Sequence, residues 1–225
     1  MLYLLKTDST ILRFFYIYTS AVNIVIISLI YIFLLKCKVY SICVSWGYNM
    51  NEIKLVLPNI SHKGQYLKMM DEWISYGGRI NPAALKNNGV SYEKWLGWMK
   101  DDQSELTCPK GAVPQTLYFA VNEHNDILGA VTLRHCLNEK MLIDGGHVGY
   151  GVRPSQRRKG YAKQMLSLAI KKFNEVGINQ ILVTCAADNI GSINTIVANG
   201  GIFENELLNE DGEMIKRFWI YYNNK

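Results

Sequence analysis

The run from Gly145 to Phe173, GGHVGYGVRPSQRRKGYAKQMLSLAIKKF, constrains the fold more than any other part of the chain. His147 to Val152 is rich in β-branched and aromatic residues and reads as a strand. Pro154 follows, lacks a backbone donor and pushes Arg153 toward an extended conformation, so the strand ends there. Beyond it, Ala162, Met165, Leu166, Ala169, Ile170 and Phe173 recur at helical spacing, with Lys163, Lys171 and Lys172 between them. That pattern predicts an amphipathic helix lying on a core.

Between strand and helix stands Gln156-Arg157-Arg158-Lys159-Gly160-Tyr161-Ala162, where consecutive cations meet small residues at the first helical turn. First-turn N–H groups have no intrahelical acceptor and carry the positive end of the helix dipole, so an anion is favoured there. Gly160 and Ala162 add little bulk, which lets the backbone come within hydrogen-bonding reach of a pyrophosphate.

Arg157-x-x-Gly160-x-Ala162, after a strand ending at Val152 and opening a helix, resembles the Q/R-x-x-G-x-G/A signature of the GNAT acetyltransferase superfamily, which binds acetyl-CoA. Further on come Ile181-Leu182-Val183-Thr184-Cys185, then Asn189-Ile190-Gly191-Ser192, then a helical run closed by Gly200-Gly201-Ile202-Phe203. These are similar to the superfamily's second cofactor-contacting segment. The remaining elements fit the same plan. A strand at Ile53 to Leu57 is closed by Pro58, and a helix from Ser61, its N-cap, runs to Tyr76 and stops at Gly77-Gly78. Ser91 caps a second helix bearing Trp95, Trp98 and Met99. Strands follow at 117–121 and 127–133, then a short helical turn at 137–143. After the central helix come a strand at 180–186, a helix at 190–198, and strands at 202–208 and 213–222 joined by Asn209-Glu210-Asp211-Gly212. The order matches that expected of an α/β (α+β) GNAT fold, a mixed central sheet with helices on both faces, and the resemblance covers Glu52 to Tyr222.

The resemblance implies that strands 147–152 and 181–185 are parallel and splay apart, with the cofactor's pantetheine arm in the gap near Val152. It implies a pyrophosphate on the N–H groups from Arg157 to Ala162, Gly160 and Tyr161 included, with the side chains of Arg157, Arg158 and Lys159 adding charge. Asn189 and Ser192 fall where the arm is contacted or the following helix is capped. Many members carry a tyrosine where this chain has Ile196, so its role of protonating the departing thiolate passes to another group or to water. For the acceptor's proton, His147 is the nearest titratable side chain, with a reference pKa of ~6.5 that suits general-base work; Tyr150 and Asp144 are the alternatives. The implied reaction is N-acetyl transfer from acetyl-CoA to a primary amine of a small molecule or protein. The competing reading is a CoA-binding module that has lost catalysis, to which the missing tyrosine points.

Charge divides the chain. Residues 1–49 carry Lys6, Arg13, Lys36 and Lys38 against Asp8 alone, so they hold +3 of the overall +5. The basic residues elsewhere are scattered apart from the turn at Arg157 to Lys159, which argues against a nucleic-acid partner. Phe14 to Leu35 contains no charge and, as a helix, is long enough to cross a bilayer, so residues 14–35 read as a membrane anchor. An acetyl-CoA enzyme on such an anchor faces the cytosol, the cofactor's source. Met50-Asn51-Glu52-Ile53-Lys54 also looks like a natural start, which would make residues 1–49 an upstream extension. Cys37, Cys43, Cys108, Cys136 and Cys185 are odd in number and widely spaced, and the histidines lack metal-ligand spacing, so neither a disulfide framework nor a metal is expected. Every core element of the expected domain lies after Met50. A chain of residues 50–225 is therefore expected to fold, stay soluble and bind acetyl-CoA, as measured by circular dichroism and calorimetry. Aggregation of that chain where the full-length protein is stable would assign residues 1–49 to the domain.

Overall fold

A computed structural model describes residues 52–222. The membrane-anchor reading of residues 14–35 falls outside that range; among the described residues no helix is long and apolar enough to cross a membrane. The element order is β1 (Lys54–Val56), α1 (Lys63–Tyr76), α2 (Tyr92–Asp101), β2 (Gln115–Val121), β3 (Ile127–Arg134), α3 (Glu139–Ile143), β4 (Val148–Val152), α4 (Tyr161–Glu175), β5 (Gln180–Ala186), α5 (Ile190–Val197), β6 (Ile202–Leu208) and β7 (Met214–Tyr221). The strands form two antiparallel groups, β1-β2-β3-β4 and β5-β7-β6.

Alternation along β2 and β3, broken by a bulge where Val121 meets Ile127, decides which helix covers which face. Ala120, Leu128, Val131 and Leu133 point to one side, where α4 lays down Met165, Leu166, Ala169, Ile170 and Phe173 and where Ile181, Val183, Phe218 and Ile220 of the second group join the same core. Leu117, Phe119, Ile127 and Ala130 point to the other, against Tyr66, Met69 and Trp73 of α1 and Trp95 of α2. The helical stripe read from the sequence is present on α4, shifted at its start. The helix begins at Tyr161, whose ring enters the core, while Ala162 is only half-buried.

Local chemistry sets the helix ends. Ser91 caps α2 by accepting the Lys94 N–H, as its position predicts. Ser61 does not cap α1. Asn59 instead caps a short 3-10 turn, Ile60–His62, that leads into α1: its side chain accepts the Ser61 N–H, while the Asn59 N–H donates to His62 Nδ1. Two backbone donors are satisfied by that reciprocal pair, more than a serine at 61 offers.

The segment after α1 crosses over β4, and it can do so because β4 has glycine at alternate positions. A Cβ on Gly151 would collide with the Asn81 carbonyl and lie 3.0 Å from the Trp73 ring. Gly151→Ala therefore has no low-cost accommodation on the backbone side. Urea unfolding is expected to show a loss of about 1–3 kcal/mol, the range for overpacking; stability within ~0.5 kcal/mol of the parent would mean that this crossing is not tight.

Candidate active site

β4 and β5 meet at one place only and separate from there. Arg134 N–H donates to His147 O and Arg153 N–H donates to Leu128 O, both at 2.8 Å, so Gly149 and Gly151 face β3 and Val148, Tyr150 and Val152 face outward. On the other side, Ala187 N–H donates to Met214 O at 2.9 Å, which turns Leu182, Thr184 and Ala186 away from β7 and toward β4. His147 closes the gap at its narrow end. Its N–H donates to Leu182 O at 2.7 Å, and the Leu182 N–H donates to its Nδ1 at 2.9 Å. Gly145 N–H adds a bond to Thr184 Oγ1 at 2.9 Å. Past this pin no backbone bond among the described residues joins the two strands.

The open wall of the gap has a definite polarity. The outward carbonyls of β4 are taken: Asn81 Nδ2 donates to Tyr150 O at 2.9 Å and Arg157 Nε donates to Val152 O at 3.2 Å. The N–H groups of Tyr150 and Val152 have no acceptor among the described residues. A buried backbone donor is costly to leave unpaired. The wall thus offers donors to a ligand that brings carbonyl oxygens.

His147 is held by this arrangement in the neutral state. Burial, and after it the charge of Arg134, push its pKa down to about 4, against the opposing pull of the Leu182 bond. Its ring also packs edge-on against Phe173, centroids 5.8 Å apart. The imidazole nitrogen facing Leu182 is committed to the scaffold.

At the mouth of the gap lies the basic turn. Gly160 is the residue before α4, with φ of +81°, and Arg158 is also left-handed at +64°. The N–H groups from Arg158 to Lys163 have no acceptor among the described residues, so the turn presents a run of free donors at a helix N-terminus. The expected cations separate here. Arg158 and Lys159 are exposed, with Lys159 Nζ bonded to Gln156 Oε1 at 2.9 Å, whereas Arg157 folds back onto α1.

At the start of α5, which follows β5, Ser192 Oγ lies 2.8 Å from the Tyr150 O–H. Burial, first of several influences, pushes the Tyr150 phenol up to about 12, so it stays a protonated donor across ordinary pH. Cys185, on the adjoining strand, is likewise pushed up to about 11 by burial. Asn189 is the N-cap of α5, accepting the Ser192 N–H at 3.0 Å, which accounts for its presence by local structure alone. Ile196 is fully buried in the core. No hydroxyl stands at that position; Tyr150 and Ser192 form a hydroxyl pair elsewhere at the site. Among the described residues no group of His, Cys, Asp and Glu is placed to hold a metal ion.

Several residues at the site carry no sequence signal. Glu72 of α1 accepts bonds from Arg153 Nε and from the Ser155 N–H, which ties the start of the turn to α1. Burial works against its ionisation, but the bonds from Arg153 and Ser155 outweigh that and hold its carboxyl below the usual range. Asn81 and Thr184 act through bonds to residues far away in sequence.

Residues 82–201, more than half of the chain, match the family described as an acetyltransferase (GNAT) domain. No match is found among curated protein sequences. Similar solved structures include the microcin C7 self-immunity acetyltransferase MccE in complex with acetyl-CoA and AMP, with 20% identity, a TM-score of 0.55, and coverage of 76% of this chain and 93% of that one. A Salmonella typhimurium acetyltransferase that modifies the N-terminal serine of ribosomal protein L7/L12 has 14% identity, a TM-score of 0.55, and coverage of 76% and 96%. A chimera of the Vibrio cholerae spermidine N-acetyltransferase SpeG and hSSAT has 13% identity, a TM-score of 0.53, and coverage of 76% and 95%.

The pin carries a pH dependence of defined sign. The folded protein keeps His147 neutral down to about pH 4, while an unfolded chain takes up its proton near the ordinary value of 6.5. The residue's contribution to stability is therefore complete above pH 6.5 and is lost as pH falls from there toward 4. His147→Asn, which keeps an acceptor for the Leu182 N–H, is expected to decline less steeply over that window in urea unfolding at pH 7, 6 and 5. His62 and His135, both with burial-lowered pKa values, leave a residual slope. A decline as steep as the parent's would show that His147 does not titrate in this way.

Proposed function

The chain belongs to the GNAT acetyltransferase family, and from that premise we propose that it transfers the acetyl group of acetyl-CoA to a primary amine of a small molecule or protein, binding the cofactor along the β4–β5 wedge. The observation that carries this reading is the donor-only wall of β4 beside a helix N-terminus whose N–H groups are free. Acetyl-CoA brings the complementary groups: a pyrophosphate for the turn from Arg158 to Ala162, amide carbonyls for the strand edge, and a thioester oxygen for a single well-aimed N–H. Val152 N–H is the donor assigned to that oxygen, where negative charge develops as the amine attacks.

In the transfer the neutral amine nitrogen bonds to the acetyl carbon, the carbon–sulfur bond breaks, and the thiolate leaves with the electron pair. The nitrogen loses one proton and the sulfur gains one, so the exchange with solvent balances. The group we assign to the leaving sulfur is Tyr150, oriented by Ser192, acting as a hydrogen-bond donor that stays protonated. Of the three residues considered for catalysis, Asp144 accepts a bond from Asn209 Nδ2 and the Nδ1 of His147 is bonded to Leu182, whereas the Tyr150 hydroxyl is bonded to Ser192 at the start of α5. The amine then loses its proton to water. The likeness to spermidine and ribosomal-protein acetyltransferases is consistent with an amine acceptor of either size.

Two measurements test this. At Gly160 a side chain would meet nothing within 4 Å, and only the left-handed backbone resists substitution. Asn and Asp tolerate that conformation comparably, so Gly160→Asn against Gly160→Asp isolates charge from strain. Calorimetry is expected to show acetyl-CoA binding retained within about tenfold in the Asn variant and lost in the Asp variant; equal affinities in both would place the phosphates elsewhere. For the second, Tyr150→Phe is expected to lower kcat in a thioester-turnover assay by about 10²-fold, with KM for acetyl-CoA little changed. Parental kcat would remove Tyr150 from the mechanism.

A further inference from the structure

We propose that the last turn of α1 is a positioning element for the cofactor turn, and that Arg157 serves in it as a strut rather than as a phosphate-binding cation. The proposal rests on the reading of that turn as the pyrophosphate site. Glu72, Trp73 and Tyr76 lie together at the end of α1, and all three grip the segment between β4 and α4. Glu72 takes the Arg153 guanidinium and the Ser155 N–H. The Arg157 guanidinium carbon sits 4.5 Å from the Tyr76 ring centroid and 5.8 Å from that of Trp73, and its Nε donates to Val152 O at 3.2 Å.

Tyr76 is 65% exposed, so burial gives no reason for an aromatic ring there. What the ring does have is a guanidinium on its face. Arg157 is in turn spent: its guanidinium lies over the Tyr76 ring and its Nε caps the last outward carbonyl of β4. That cap keeps a ligand from pairing with Val152 O and fixes the end of the strand, so the Val152 N–H stays aimed into the wedge. The two cations that follow are free of such duties toward α1, and Arg158 has no ion-pair partner among the described residues. Three adjacent basic residues therefore divide into one strut and two solvent-facing charges.

A point charge and a strut respond differently to substitution and to salt. Lysine would preserve a charge at 157 but can neither stack as a plane nor present an Nε–H. Acetyl-CoA binding to the full-length protein is measured by calorimetry at several ionic strengths. Arg157→Lys and Arg157→Ala are both expected to weaken binding by about tenfold while keeping the parent's salt dependence. Arg158→Ala is expected to flatten that dependence, having removed a screened charge. Tyr76→Leu is expected to weaken binding about two- to fivefold, and Tyr76→Phe, which keeps the ring, to restore it. The proposal is overturned if Arg157→Lys binds like the parent, if Arg157→Ala flattens the salt dependence as Arg158→Ala does, or if Tyr76→Leu matches the parent. Should the Arg157 variants fail to fold by circular dichroism, the Tyr76 pair decides alone. A parent that does not bind acetyl-CoA overturns the function proposed above, and this inference with it.

Discussion

The site depends on a single junction, the pair of bonds between His147 and Leu182. A fully paired β4–β5 ladder would satisfy every backbone group and leave nothing for a ligand. Two unpaired sheets would lose their common core. The imidazole resolves this conflict by standing in for one strand partner: it accepts the Leu182 N–H, while the His147 carbonyl faces the other way and accepts from Arg134. The strands are held at one point and free to diverge beyond it. The residue is thus more consequential as a piece of backbone chemistry than as an acid or base, and its low pKa follows from the same burial that lets it pin the sheets.

What the divergence exposes is then filtered. Asn81 and Arg157 take the outward carbonyls of Tyr150 and Val152 and leave their N–H groups, so the strand edge can only donate. The helix N-terminus at Gly160 also can only donate. A ligand that fits must bring acceptors to the β4 edge and its strongest negative charge to the turn, and the amide carbonyls and pyrophosphate of acetyl-CoA would meet both demands. α4 connects the two requirements, because its buried face of Met165, Leu166, Ala169 and Ile170 fixes the helix on the same core that joins the two strand groups. The basic turn and the wedge therefore rest on one core.

Much of this was legible in the sequence because it is written locally. The strand, turn and helix from His147 to Phe173 carry their own periodicity and punctuation, and the order of the elements along the chain follows from similar signals. What was illegible depends on partners distant in the chain. Nothing near His147 announces that its Nδ1 will meet a backbone N–H 35 residues on. Arg157 stands in a row of cations and reads as one of them, until the fold places the ring of Tyr76 over it. Glu72 lies on a helix surface where a carboxylate needs no explanation, yet it fixes the start of the turn. Ser61 and Asn59 are both good caps, and the choice between them was made by the bond His62 returns to Asn59.

Amide hydrogen exchange, resolved by residue and measured with and without acetyl-CoA, tests the wedge most directly. The Leu182 N–H is expected to be protected in both states, being bonded to His147, while the N–H groups of Tyr150 and Val152 exchange readily in the free protein and slow markedly when acetyl-CoA is bound. Protection of Tyr150 and Val152 that does not change with acetyl-CoA, or that is already complete without it, would contradict the claim that the splayed edge of β4 is where the cofactor lies.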